Sequence, residues 1–220
     1  MKTKLFLLAI FVIGLFAYFS YTVAKESWQK IDFDTTVKIQ DRIPRKFDYY
    51  FSYFSLLGSA EITIGFCLVM IFLSFLKQHF LAILGWLVII PATFAEIFGK
   101  LMVFHPGPPV LFHRSLLPTS LPSFYVHTDF SYPSGHMTRT AFIVTVFVLL
   151  LAMKTGRLSK LLIVLLLVVA VIMGITRVYL GEHWLSDVLG GALLGLSSGL
   201  FASILILPKQ HTPPVQDLPS

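Results

Sequence analysis

Six apolar runs dominate this chain, at 5–23, 54–76, 80–104, 134–153, 161–179 and 183–207. Each is close to the roughly 20 residues that carry a helix across a bilayer. Inside hydrocarbon no water satisfies backbone N–H and C=O groups, so an apolar run of that length must close its own hydrogen bonds as a helix. The pattern predicts an all-α fold, an integral membrane six-helix bundle, forming one domain over 1–208. A polar, proline-containing tail over 209–220 is predicted disordered. Composition agrees: 56% of the 220 residues are hydrophobic and 13% charged, against about a quarter charged in soluble domains.

The formal net charge of +6 does not point to nucleic acid. Lys2, Lys4, Lys77, Lys154, Arg157, Lys160 and Lys209 sit in the N-terminal start, the turns and the tail that an even number of spans leaves on one side. The positive-inside rule makes that side cytoplasmic, with both termini. The block 25–53 between spans one and two mixes Lys, Arg, Asp and Glu with Trp28, Phe33, Phe47, Tyr49 and Tyr50. It reads as one or two interfacial helices capping the bundle. The single cysteine, Cys67, falls inside a span and reads as a packed apolar residue.

Charged groups within spans are costly and need a reason. Glu61 is read as paired with a basic group on a neighbouring span, and Glu96 with Lys100, one helical turn away. Pro91 predicts a kink in span three. Arg139 lies about a turn inside span four, as a phosphate ligand or as partner of Glu61 or Glu96. The loop 105–132 is rich in Pro and Ser and carries His105, His113, Arg114, His127 and Asp129, whose spacings match no zinc-ligand pattern. No metal and no cofactor is expected.

Two stretches carry chemistry. In Arg177-Val-Tyr-Leu-Gly-Glu-His183-Trp-Leu-Ser-Asp187, a helix from Glu182 onward would put His183 and Asp187 on one face. A carboxylate can hold one imidazole nitrogen and leave the other to react, and an arginine nearby can clamp an oxyanion. In Ser131-Tyr-Pro-Ser134-Gly135-His136, a turn opening a helix presents N–H groups to an anion, with a histidine at the helix start. Two histidines, each beside anion-binding groups, suggest a nucleophile and a general acid working on a phosphate.

Pro133-Ser134-Gly135-His136 and Thr176-Arg177-x5-His183-x3-Asp187 resemble the second and third signatures of the type-2 phosphatidic acid phosphatase superfamily. The third signature usually opens with Ser-Arg; Thr176 keeps the hydroxyl. The resemblance implies metal-free hydrolysis through a phosphohistidine. In it, His183 attacks, Asp187 orients it, and His136 protonates the leaving oxygen and then activates water. Lys100, Arg177, Ser134 and Gly135 bind the phosphoryl oxygens. It further implies a lipid phosphate or diphosphate as partner, at the outer leaflet of the cell membrane. Undecaprenyl diphosphate, phosphatidylglycerol phosphate and phosphatidic acid are the substrates considered. A lipid phosphotransferase and a catalytically impaired lipid-binding protein are the alternatives. The first signature, Lys-x6-Arg-Pro, is incomplete: from Lys100 the matching positions are Gly107 and Pro108. Arg139 is the first candidate to replace the missing arginine, with Arg114 and His105 behind it. The sequence assigns no oligomeric state.

Overall fold

The computed structural model describes residues 1–117 and 130–208. His127, Asp129 and the 209–220 tail, with the disorder expected of it, lie outside the described residues. In chain order the helices are α1 (Lys2–Ala24), α2 (Gln29–Arg42), α3 (Asp48–Ser55), α4 (Ala60–Leu76), α5 (Phe80–Leu87), α6 (Ile89–Met102), α7 (Gly135–Ala152), α8 (Arg157–Tyr179) and α9 (Leu185–Ile206). Among the described residues, six helical stretches are long and apolar enough to cross a membrane: α1, α3–α4 with the short turn before them, α5–α6, α7, α8 and α9. The chain is a multi-pass, all-helical membrane protein.

The helices α7 and α9 form the centre of the bundle, and α8 presents most of its apolar surface outward. Their contact is made backbone to backbone. Gly191, Gly195 and Gly199, one turn apart on α9, face α7 so closely that an added Cβ would overlap the carbonyl oxygens of Ser134, Thr138 and Phe142 respectively. One core cluster joins Cys67, Trp86, Ile89, Phe142, Val146 and Ala202, where the Cys67 thiol is a packed group. A second joins α1 to α9 through Leu5, Ala9, Val12 and Leu200.

Two spans are broken, each for a local reason. Span three is interrupted between α5 and α6 at Val88, three residues before Pro91. Proline has no N–H for the carbonyl of Leu87 and its ring crowds that carbonyl, so the helix yields at that point. Span two breaks at a 3-10 turn, Leu56–Gly58, after which the Ser59 hydroxyl caps α4 by accepting the Ile62 N–H. This corrects the reading of Glu61. The acid stands in the first turn of α4, not two turns into a continuous span, and it is exposed, with no ion pair among the described residues. A carboxylate in a first turn faces the positive end of the helix dipole.

The segment between spans one and two is helical, as expected, but it is anchored inward. Asp32, Thr36 and Gln40, spaced one turn apart on α2, are buried. Gln40 donates from its amide to the carbonyls of Phe112 (2.7 Å) and Tyr179 (2.8 Å), so α2 is stitched to the ends of α8 and of the loop after α6.

Candidate active site

At one end of the bundle the start of α7, the end of α8 and the start of α9 meet. The turn before α9 carries His183. Its Nδ1 lies 3.3 Å from Oδ2 of Asp187, and that oxygen also accepts the Trp184 N–H at 2.9 Å. The helix begins at Leu185, two residues beyond His183, so the pair is not made by two positions on one helix face as the spacing suggested. Asp187 instead caps the helix and holds the imidazole that precedes it. Burial, reinforced by the Arg177 charge, keeps the His183 imidazole well below its usual pKa, hence neutral.

The second stretch is tied directly to the first. The Ser134 N–H donates to the Asp187 carbonyl at 3.0 Å. His136 sits in the first turn of α7, buried, within electrostatic reach of Arg177, Arg139, His183 and Lys100. Gly58 packs against the edge of its ring: an added Cβ would stand 3.1 Å from His136 Cδ2. The break in span two therefore makes room for this histidine.

The cations are arranged around carboxylates. Glu96 holds Lys100 through Oε1 at 2.9 Å and Arg139 through Oε2 at 2.8 Å. The same carboxylate lies against Gly135, where any Cβ would overlap it. Of the two readings of Arg139, the structure shows the pairing with Glu96. Arg177, at the buried end of α8, pairs with Glu182 and donates to the Ser55 hydroxyl. Lys100, Gly135, His136, Arg139, Arg177, His183 and Asp187 thus belong to one linked group.

Within this group several buried polar atoms make no hydrogen bond to a described residue: Ser134 Oγ, His136 Nε2, Arg139 Nε and Arg177 Nε. Buried donors without acceptors are expensive. Two guanidinium N–H groups, a hydroxyl and an imidazole nitrogen left without partners within one linked group are a set of polar atoms of the kind an oxyanion can engage.

The other candidates lie elsewhere. Arg114 stacks over the Tyr179 ring at 5.2 Å and donates to the Ile43 carbonyl, a bracing role for the capping segment. Gly107 is exposed beside Ser131. His105 is buried behind Asp187, its Nε2 3.5 Å from Asp187 Oδ1. Sequence reasoning missed Asp32, Ser55, Ser186 and Glu182 as members of the group. Only Glu182, adjacent to His183, carried any local signal.

An apolar cleft of about 500 Å³ opens between α1, α6 and α9, lined by Phe6, Ile13, Ala92, Ala95, Leu194 and Phe201.

Residues 80–210 match the model of the PAP2 superfamily. The chain belongs to the PAP2 superfamily. Within it, a stretch of 72 residues is 43% identical to phosphatidylglycerophosphatase B of Bacillus subtilis (strain 168), covering 31% of this chain and 36% of that protein. The match thus spans about a third of the relative's length. Among solved structures, the transmembrane PAP2 type phosphatidylglycerolphosphate phosphatase from Bacillus subtilis superposes with a TM-score of 0.70 at 21% identity, over 88% of this chain and 93% of the other. Aquifex aeolicus LpxE superposes with a TM-score of 0.55 at 24% identity, over 78% and 94%. These two likenesses establish the PAP2 membrane fold.

Proposed function

We propose that the chain is a metal-independent membrane phosphatase acting on a lipid phosphate or diphosphate through a phosphohistidine intermediate, as one catalytic domain over 1–208. The observation that carries this reading is the pairing of His183 Nδ1 with Asp187 at 3.3 Å, together with buried Ser134 Oγ, His136 Nε2, Arg139 Nε and Arg177 Nε that make no hydrogen bond to a described residue. With Nδ1 held, His183 Nε2 carries the lone pair that attacks phosphorus. The N–P bond forms as the P–O bond to the lipid breaks, and His136 gives its proton to the departing oxygen. In the second step His136 takes a proton from water as the water oxygen bonds to phosphorus and the N–P bond breaks, which releases phosphate and returns His183 to its neutral form. Arg177, Arg139, Lys100, the Ser134 hydroxyl and the Gly135 N–H meet the charge on the phosphoryl oxygens in both steps.

The apolar cleft beside α9 supports a lipid rather than a soluble phosphate ester as substrate, since acyl or prenyl carbons would fill it from the bilayer side. The names of the relatives support phosphatidylglycerol phosphate as the first lipid to test, beside phosphatidic acid and undecaprenyl diphosphate. Basic turns on the opposite side of the bundle support cytoplasmic termini and a site at the outer leaflet.

The test is phosphate release by detergent-purified protein in the presence of a chelator, from each of these three lipids, with His183→Ala beside wild type. Release that falls by at least about a thousandfold in the variant supports the reading and ranks the substrates. Equal release by the two proteins overturns it. Transfer of phosphate to a second lipid instead of water would make the enzyme a phosphotransferase using the same histidine.

A further inference from the structure

Behind Asp187 lies a buried polar chain that the mechanism above does not use. Asp32 on α2 accepts the Ser186 N–H through Oδ1 at 2.8 Å and the Ser186 hydroxyl through Oδ2 at 2.7 Å. The Ser186 Oγ also lies 3.0 Å from His105 Nε2. Since the single hydroxyl proton is given to Asp32, Ser186 Oγ can face His105 only as an acceptor. His105 Nε2 must therefore carry a proton. That N–H points among three oxygens: Ser186 Oγ at 3.0 Å, Asp187 Oδ1 at 3.5 Å and Asp32 Oδ2 at 3.7 Å. Asp187 Oδ1 is buried, and the Ser131 side chain also interacts with this carboxylate. The other carboxylate oxygen serves His183 and Trp184.

The His105 backbone is anchored as well, and the ring has an aromatic neighbour. The His105 carbonyl accepts both the N–H (3.0 Å) and the hydroxyl (3.1 Å) of Ser131, and Tyr132 meets the imidazole edge-on at 6.3 Å. Asp32 is 1% exposed and His105 4%. Burying a carboxylate is costly, and burial raises the Asp32 pKa to about 6 against the lowering effect of Ser186. A structural link between α2 and α9 could be made by an uncharged side chain. A carboxylate here has the further effect of orienting a serine and a histidine towards Asp187.

We propose that His105, held by Asp32 through Ser186, is a positioning residue that fixes the Asp187 carboxylate and thereby the attack geometry of His183. This rests on the reading of His183 as nucleophile. The N–H of His105 steadies Oδ1 while Oδ2 orients the imidazole, so the carboxylate cannot rotate away during attack. It also makes α2, the interfacial segment between spans one and two, part of the catalytic support.

The experiment compares His105→Phe, His105→Asn and His105→Gln in full-length protein, with Ser186→Ala as a smaller cut in the same chain. Glutamine places an amide N–H where His105 Nε2 stands; asparagine reaches only as far as Nδ1; phenylalanine keeps the ring without a donor. The expected result is a drop in kcat of roughly tenfold to a hundredfold for the Phe and Asn variants with KM within about twofold. The Gln variant stays within about threefold of wild type, and Ser186→Ala loses kcat severalfold at unchanged KM. Wild-type kcat in His105→Phe or in Ser186→Ala overturns the proposal, as does equal loss in the Phe and Gln variants. A second readout does not depend on activity. With 15N-labelled histidine, the His105 resonance, assigned by its loss in His105→Gln, must report a protonated Nε2. An Nδ1–H tautomer overturns the proposal whatever the rates. Absence of phosphate release from wild type would count against the proposed function, and the tautomer would still decide the role of His105.

Discussion

Arg139 and Glu96, on neighbouring helices, are joined through Nη1 and Oε2 at 2.8 Å, both buried. The other oxygen of the same carboxylate holds Lys100. One acid therefore fixes two cations of the candidate site, while Arg139 Nε makes no hydrogen bond to a described residue. Such a carboxylate is structural in its own right, because removing one member of a buried pair strands the others.

Glu96→Ala is accordingly expected to lower stability by about 3–5 kcal/mol, read from denaturant or thermal unfolding in detergent. Glu96→Gln keeps the shape and accepting oxygen and should cost less. Equal stability of Glu96→Ala and wild type would show that the two cations are already solvated.

The close contact of α7 with α9 gives a second prediction. An alanine at Gly195 would drive its Cβ into the Thr138 carbonyl and the Ala141 side chain, and overpacking of this kind costs about 1–3 kcal/mol. Gly65 on α4 has nothing near a new Cβ, so Gly65→Ala should leave stability unchanged or raise it by about 0.5–1 kcal/mol. Because α7 and α9 bring His136 and Asp187 together, Gly195→Ala should also reduce kcat, whereas Gly65→Ala should not.

The His183 pKa offers a third. Its imidazole is held below the ordinary histidine value, first by burial and then by Arg177. A histidine whose folded pKa is depressed stays neutral as pH falls through the unfolded value of about 6.5. It stabilises the fold above that pH and loses this contribution as pH drops towards the folded pKa. NMR titration of 15N-histidine protein, with His183 assigned by substitution, should place its midpoint below 6.5. A midpoint at or above that value would contradict the buried, cation-flanked environment.

Arg177 is engaged by Glu182 as well as by Ser55. A phosphoryl group that binds Arg177 competes with this carboxylate. Glu182→Gln is expected to tighten inhibition by inorganic phosphate several-fold, measured as a lower inhibition constant. Weaker inhibition would instead mean that Glu182 holds Arg177 in its binding orientation.

The cleft supplies the last test. Ala95→Phe would fill part of the apolar space between α1, α6 and α9. KM for a long-chain lipid phosphate should rise at least severalfold, while that for a short-chain, water-soluble phosphate ester stays near wild type. Parallel changes in both would remove the cleft from tail binding.

Much of this protein is local and so was readable along the chain. Apolar length dictates helices that cross a bilayer, because the backbone has no other way to close its hydrogen bonds there. Proline at 91 and the Ser134-Gly135 helix start act on their immediate neighbours. His183 with Asp187, and His136 beside Ser134, announce themselves by short spacing. Tertiary structure alone decided which distant groups join them. Ser55 meets Arg177 from the far side of span two, and Gly58 breaks that span against His136. Glu96 chooses Arg139 from another helix, while Glu61, in a similar apolar context, stays exposed. Asp32, one more acid in a charged block, is turned inward to Ser186 and His105. Hydropathy fixes how deep a residue sits along its own helix. The rotation and docking of helices, set here by glycines on α9 that let α7 touch backbone to backbone, determine which side chains face one another.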